Sequence, residues 1–262
     1  MSTIAVGRTA VITGGASGIG LRIAQRLQKA GVGVAVLDLP GAALDAAGDE
    51  FSAACAVDVR EPEQVQEAID TAAHRLGGLD TLVLSAGVID VRPLTEVSPV
   101  DWRRVIDVNL TGAFLSIQAA APRLVASGRG RIVGIASDAG RKGAPYLQAY
   151  CASKFGLIGL VESVASELAP HVTANAVCPV STPDTGMGRQ LLAMKTEWTS
   201  RSAEEVLADV ATQFPMQRPG TPDDVAGVVE FLISDEASFL TGTAIDIDGG
   251  SSLHKIPGVA SR

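Results

Sequence analysis

A tyrosine, a lysine four residues after it and a serine thirteen residues before it are the side chains of this sequence best suited to chemistry: Tyr150, Lys154 and Ser137. On a helix, residues four apart share a face about 5–6 Å from one another, so the Lys154 ammonium is expected beside the Tyr150 phenol, where it favours the anion. A free phenol ionises near pH 10. Bringing it close to neutrality takes about 4 kcal/mol of differential stabilisation, which a neighbouring ammonium and a bound cationic ring can supply. The result is a general base for a hydroxyl proton. Ser137 ends the apolar run Arg131–Ala136, whose length and branched residues suit a buried strand. Its hydroxyl then projects from the carboxyl end of a sheet, where open α/β folds bind ligands. Taken alone, a tyrosine four before a lysine is an ordinary solvated helix face. The rest of the chain gives it weight.

Thr13-Gly14-Gly15-Ala16-Ser17-Gly18-Ile19-Gly20 follows the strand-like run Thr9–Ile12 and opens a stretch, Leu21–Ala30, with apolar residues at helical spacing. Strand, glycine turn and helix in this order aim backbone N–H groups and a helix N-terminus at a pyrophosphate, and the absent side chains let it approach. Gly14, Ser17, Gly18, Ile19 and Gly20 are the expected contacts, although the spacing differs from the usual dinucleotide fingerprint. A second strand-like run, Val32–Leu37, ends in Asp38, eighteen residues after Gly20. An acidic group there accepts hydrogen bonds from an adenosine ribose and repels a 2′-phosphate. Leu39 and Pro40 follow it, and no Arg or Lys lies between Thr13 and Gly20, so NAD is expected rather than NADP.

Together these residues resemble the short-chain dehydrogenase/reductase family in its shorter form, over nearly the whole chain. Further matching pieces are Asp58-Val59, Ala86-Gly87, Asn109 within Asp107-Val108-Asn109, Asn175-Ala176-Val177-Cys178-Pro179 and the closing Thr241–Gly250. The resemblance implies a Rossmann-type, doubly wound parallel sheet of seven strands with helices on both faces. It implies a nicotinamide cofactor and a catalytic set of Asn109, Ser137, Tyr150 and Lys154, with Asn109 holding a water that links Lys154 to solvent. Asp58 and Val59 would border the adenine, Leu39 would lie beside Asp38 at the cofactor, and Lys154, with Tyr150, would reach the nicotinamide ribose. A homotetramer of two-fold symmetry is implied too. The chain departs from the family twice. Ser85 stands in Leu84-Ser85-Ala86-Gly87 where an asparagine is usual, and Pro179-Val180 replaces a Pro-Gly turn. Backbone groups from Pro179 to Thr182 are still expected to hold the carboxamide.

The elements that must position these groups read as strands at Arg8–Thr13, Val32–Asp38, Ala54–Val57, Thr81–Leu84, Arg131–Ala136, Thr173–Cys178 and Ala244–Ile247, with Pro62 opening the helix that runs to Leu76. Tyr150–Leu168 reads as a helix apolar nearly all round, consistent with cover on its far side by another subunit. No linker or repeat divides residues 1–262, read as one catalytic domain. Between Val180 and Phe214 the alternation stops, and the segment is expected to be a mobile substrate lid hinged at Gly186 and Gly188. Trp198 is expected as a buried anchor of that lid, the alternative being a wall of the substrate site. Arg141 and Lys142 read as a solvated loop face, the alternative being a greeting for an anionic substrate.

At 262 residues, 47% hydrophobic and 19% charged, the composition suits a large aliphatic core and excludes disorder. A net charge of −8 with no basic block argues against nucleic acid, and no apolar run approaches a membrane span or a signal peptide, so the expected location is the cytoplasm. Cys55, Cys151 and Cys178 form no disulfide framework, and His74, His171 and His254 lack metal-ligand spacing, so no metal site is expected. The reaction expected is oxidation of a secondary alcohol with NAD, or its reverse. Ser181, Thr182, Asp184 and Thr185 in the lid suggest a small polar substrate: a polyol, sugar or hydroxy acid. The alternatives are an apolar or acyl-thioester ketone and a nucleotide-sensing module without catalysis.

Overall fold

In the computed structural model, which describes residues 7–253, seven parallel strands form one sheet in the order β3-β2-β1-β4-β5-β6-β7. They are β1 Thr9–Thr13, β2 Gly33–Asp38, β3 Ala53–Ala56, β4 Thr81–Leu84, β5 Gly130–Ile135, β6 Val172–Pro179 and β7 Ala244–Ile247. Each matches its sequence-based range to within a residue or two, because the strands are short apolar runs bounded by glycine or polar turns. The order reverses between β1 and β4, where open α/β sheets leave a crevice at their carboxyl ends.

Nine helices join or cover the strands among the described residues: α1 Gly18–Lys29, α2 Ala42–Glu50, α3 Pro62–Leu76, α4 Pro99–Ile106, α5 Gly112–Ala126, α6 Gln148–Leu168, α7 Gly186–Thr199, α8 Ala203–Thr212 and α9 Pro222–Ile233. Alternation along the strands builds two cores. Val11, Leu82 and Leu84 point to the side covered by α3, α5 and α6, whereas Ile12 and Val83 point to the side covered by α1, α2 and α9. Pro62 occupies the first turn of α3 as its fixed φ favours. Asn175 stitches the last strand on: its side-chain amide donates to the Leu240 carbonyl at 2.8 Å, and its oxygen accepts from the Thr243 N–H at 3.3 Å.

The stretch after β6 leaves the sheet as the two helices α7 and α8. Helix α8 is seated by Val206 and Val210, which cluster with Val180 and Phe214. Two expectations change here. Gly188 is required for close packing rather than for hinging, since a Cβ there would lie 2.0 Å from the Thr182 carbonyl oxygen; Gly186 has no such neighbour. Trp198 is half exposed rather than a buried anchor, and its ring lies 5.1 Å from that of Tyr146 across the mouth of the crevice. No helix among the described residues is long and apolar enough to cross a membrane.

Candidate active site

One cleft of about 1030 Å³ runs across the carboxyl ends of the strands, from Asp38 and Asp58 at one extreme to α7 at the other. At the first extreme the glycine loop folds back on β2. The N–H groups of Gly14 and Gly15 donate to the Leu37 carbonyl at 2.7 and 3.3 Å, and that of Ala16 donates to the Asp38 carboxylate at 3.0 Å. A Cβ on Gly20 would sit 2.1 Å from the Gly14 carbonyl oxygen, and one on Gly14 would sit 2.7 Å from the Ala86 backbone. Bare backbone is therefore obligatory where loop, helix and the turn after β4 meet. Ser17 caps α1 without a side-chain bond, and the first turn of α1 carries no acidic residue. Free N–H groups and the positive end of the helix dipole thus face the cleft, as a pyrophosphate requires. The residues present fit a dinucleotide.

Asp38 also accepts from the Leu39 N–H at 2.8 Å, so two backbone donors fix its carboxylate at the cleft edge. Asp58 is gripped by Arg60, whose guanidinium bonds hold its carboxyl below the ordinary carboxylate range. Buried Val59 lies against Gly112, and both Asp58 and Val59 line the cleft. Ser85 and Ala86 hang from the β1 end, their N–H groups donating to Thr13 Oγ1 at 3.2 and 3.3 Å. The Ser85 hydroxyl packs at Gly20, so the shorter side chain fills the space beside the glycine loop.

Midway, the four residues singled out for chemistry converge. Ser137 leaves β5 as the cap of a short 3₁₀ turn, its hydroxyl donating to Asp138 Oδ1 at 3.0 Å and accepting from the Ala139 N–H at 3.2 Å. Tyr150 and Lys154 are buried on α6, with Lys154 Nζ 5.6 Å from the Tyr150 ring centre. The helical spacing thus brings them together, and burial acts on both. Desolvation pushes Tyr150 up to about 12 against the downward pull of the neighbouring Ser137 hydroxyl, with Asp138 adding to the rise. Desolvation also pushes Lys154 down to about 8, and its ammonium donates to the Ile135 carbonyl at 2.8 Å. Asn109 lies in a π-helical turn, Asp107–Thr111, between α4 and α5. Its side chain is fully engaged, exchanging bonds of 2.8 and 2.9 Å with the Val88 backbone and donating to Ser153 Oγ at 3.0 Å. It therefore pins the turn after β4 to α6.

The far end of the cleft is walled by Ile89, Val91, Tyr146, Met187, Leu191 and Trp198. Sequence reasoning missed the first three, since an apolar residue on a loop carries no periodic signal. Tyr146 has one mark visible only in the backbone, a φ of 66° that an L-residue rarely adopts, held by the Arg92 N–H donating to its carbonyl at 3.1 Å. One lid hydroxyl is engaged within the lid itself. Thr185 Oγ1 donates to the Thr182 carbonyl at 2.9 Å and caps α7 by accepting from the Gly188 N–H at 2.9 Å. Pro179, Thr182 and Thr185 all border the cleft. Cys178 is buried in β6 with its thiol pushed up to about 11, and Cys151 packs beside Ala144, so both are packing residues.

Known proteins share this architecture. A family model described as enoyl-(acyl carrier protein) reductase matches residues 14–252. An L-2,3-butanediol dehydrogenase of Corynebacterium glutamicum is 36% identical over 253 residues, 93% of this chain and 98% of its own. Among solved structures, an actinorhodin polyketide ketoreductase with NADPH superposes with a TM-score of 0.89 at 31% identity, covering 94% of this chain and 98% of its own. An NAD⁺-bound xylitol dehydrogenase does so at 0.86 and 32%, covering 94% and 99%. With its sheet order, its glycine cradle and these relatives, the chain belongs to the short-chain dehydrogenase/reductase family and is an oxidoreductase of the alcohol–ketone pair.

Proposed function

We propose that the protein is an NAD-dependent dehydrogenase in which Tyr150 moves the proton between a secondary alcohol and its ketone. The observation that carries this reading is the convergence of Ser137, Tyr150 and Lys154 on one cleft that continues from the glycine cradle. Ser137 offers its hydroxyl to the substrate oxygen and orients it toward the phenol. Tyr150 takes the hydroxyl proton as the carbinol hydrogen departs, and returns it when the ketone is reduced. A bound nicotinamide supplies the hydride acceptor or donor and, when oxidised, a positive charge beside the phenol. Lys154, buried without a carboxylate, reinforces that charge and presents N–H donors to ribose hydroxyls. Asn109 is a positioning residue, since its bonds hold the turn bearing Gly87 and Val88 against α6.

Asp38 supports NAD over NADP, because its carboxylate is held at the cleft edge where a 2′-phosphate would lie. Of the four lid residues that suggest a small polar substrate, Thr185 spends its hydroxyl within the lid. The apolar walls favour the alternative, a substrate with an apolar body. A two-fold tetramer remains our reading of the assembly, supported by Phe114 on α5 and Phe155 on α6, both more than 40% exposed.

The test is steady-state oxidation of a panel of secondary alcohols with NAD and NADP side by side, in wild type and Asp38→Ala. Wild type should prefer NAD and the variant should narrow that preference. A wild type that prefers NADP overturns the cofactor assignment, and turnover of none of the alcohols overturns the reaction.

A further inference from the structure

We infer that the substrate carries an anionic group at the end remote from its reacting carbon, held by Lys142 and Lys195 at the outer rim of the cleft. The inference rests on the alcohol–ketone reading above and names the class of substrate that site takes. Lys142 lies on the loop that follows Ser137, and Lys195 lies on α7; both line the cleft and both are exposed at its rim. Leu191, Lys195 and Trp198 are spaced by four and three residues, so they share one face of α7. Trp198 in turn touches Tyr146, four residues beyond Lys142. Both lysines therefore border the part of the cleft that this aromatic and aliphatic wall lines.

Neither ammonium has an ion-pair or hydrogen-bond partner among the described residues. That is unusual in a chain with 29 acidic and 21 basic residues, where most other cations at this surface are matched: Arg60 by Asp58, Arg104 by Asp90 and Arg141 by Asp246. The cleft-lining carboxylates are elsewhere. Asp38 and Asp58 stand at the dinucleotide end, and Asp138 accepts from Ser137 at the reacting centre. The reacting centre thus holds Asp138 together with the Lys154 ammonium, whereas the rim beyond the apolar wall carries two lysines and no carboxylate among the described lining residues. A carboxylate directly on the carbinol carbon would face Asp138 beside the buried Lys154, away from the rim lysines. A carboxylate, sulfonate or phosphate separated from the carbinol by an apolar spacer would meet Met187, Leu191 and Trp198 along its length and the lysines at its tip. The favoured class is a secondary alcohol, or ketone, near one end of an apolar chain whose other end is anionic.

The experiment compares 7-hydroxyoctanoate with its methyl ester, with 2-octanol and with 2-hydroxyoctanoate, in wild type and in Lys142→Met/Lys195→Met, and repeats the first with terminal sulfonate and phosphate in place of carboxylate. Two exposed charge contacts give an expected advantage of about five- to tenfold in kcat/KM for the far-end anion over its ester, and use of the adjacent anion should not depend on the two lysines. The advantage should shrink with added salt and fall toward one in the double variant. Charge reversal, Lys142→Glu/Lys195→Glu, should invert it. An ester used as well as the acid by wild type, or an advantage that survives in the double variant, overturns the inference while leaving the alcohol–ketone reaction intact. If none of the alcohols turns over, the reaction reading has failed instead. Calorimetric titration of 7-hydroxyoctanoate and its ester, with and without NAD, then decides the anion site: tighter binding of the acid, lost in the double variant, sustains it, and equal binding overturns it.

Discussion

Two buried cations sit at opposite ends of the same sheet and are treated in opposite ways. At the amino end Arg8, fully buried, reaches Asp235 at 2.8 Å, Asp80 at 3.5 Å and the Arg129 carbonyl at 3.2 Å, and Asp80 is shared with Arg129 at 2.9 Å. At the carboxyl end Lys154 is just as hidden, yet its ammonium meets one backbone carbonyl and no carboxylate. A buried charge with matched partners closes the structure around itself. A buried charge left to a single carbonyl costs stability, and such a cost persists where the surroundings impose it for another purpose. The amino end is built to stay shut and the carboxyl end to receive something.

The sharpest way to break this contrast is to alter one residue at each end. Tyr150→Phe keeps the ring but removes the proton carrier, so kcat should fall by about two to four powers of ten. Its thermal midpoint should stay within a few degrees of wild type. Near-normal turnover in this variant would remove Tyr150 from the mechanism. Asp80→Asn should do the converse. It leaves Arg8 and Arg129 facing a neutral amide, and breaking a buried charge pair costs about 3–5 kcal/mol, or roughly 10 °C in a chain of this size. Activity per folded molecule should persist, since Asp80 lies at the far edge of the sheet from the cleft. An unchanged Tm for Asp80→Asn would show that the amino-end network is decorative.

This contrast was half legible in the sequence. The strands, the glycine turn and the Ser137–Tyr150–Lys154 spacing are local patterns, and periodicity plus chain punctuation place them correctly. The amino-end network joins residues 8, 80, 129, 131 and 235, and nothing in a linear string pairs positions so far apart. The electrostatics were only partly legible for a related reason. Helical spacing says that Lys154 neighbours Tyr150, but it does not say how deeply both are buried, and burial sets the larger effect on each. Likewise the Thr185 hydroxyl was visible as a residue type, whereas its commitment to capping α7 is a fact of three-dimensional folding. His254, read as lacking metal-ligand spacing, lies outside the described residues.

A smaller effect sharpens the comparison through pH. Lys154 titrates near 8 when folded against an ordinary value of 10.5. Between those values the unfolded chain binds the proton more tightly, so stability contributed at this site rises with pH through that window; below about pH 8 the full cost of the buried ammonium is present. Lys154→Met removes the charge at similar volume, and should therefore raise the unfolding free energy by about 2 kcal/mol at pH 7, while abolishing most activity. Chemical denaturation of both proteins from pH 7 to 10.5 checks the sign: the difference should narrow as pH rises. A variant less stable than wild type at pH 7 would mean that the Ile135 carbonyl contact outweighs the burial cost.

The smallest expected effect concerns how the carboxyl end opens. Of α7, only Gly188 is buried, with Met187, Leu191 and Leu192 partly buried against neighbouring clusters and its first turn capped by Thr185, whereas α8 buries Val206 and Val210 against Val180 and Phe214 and carries a capping box from Ser202 to Glu205. Motion of the segment from 180 to 214 should therefore be unequal: α7 swings while α8 stays docked. Few buried apolar contacts imply a low local opening free energy, so α7 amides should exchange at least about tenfold faster than those of the fully cored α9. NAD with a bound substrate analogue places ligand against Leu191 and Trp198 and should slow α7 by a similar factor, with α8 little changed, as expected of an element that closes over a reacting centre and excludes water. Amide hydrogen exchange resolved by peptide measures both differences. Equal protection of α7 and α9 without ligand, or equal response of α7 and α8 to it, would show that the outer wall is as fixed as the Arg8 network at the other end of the sheet.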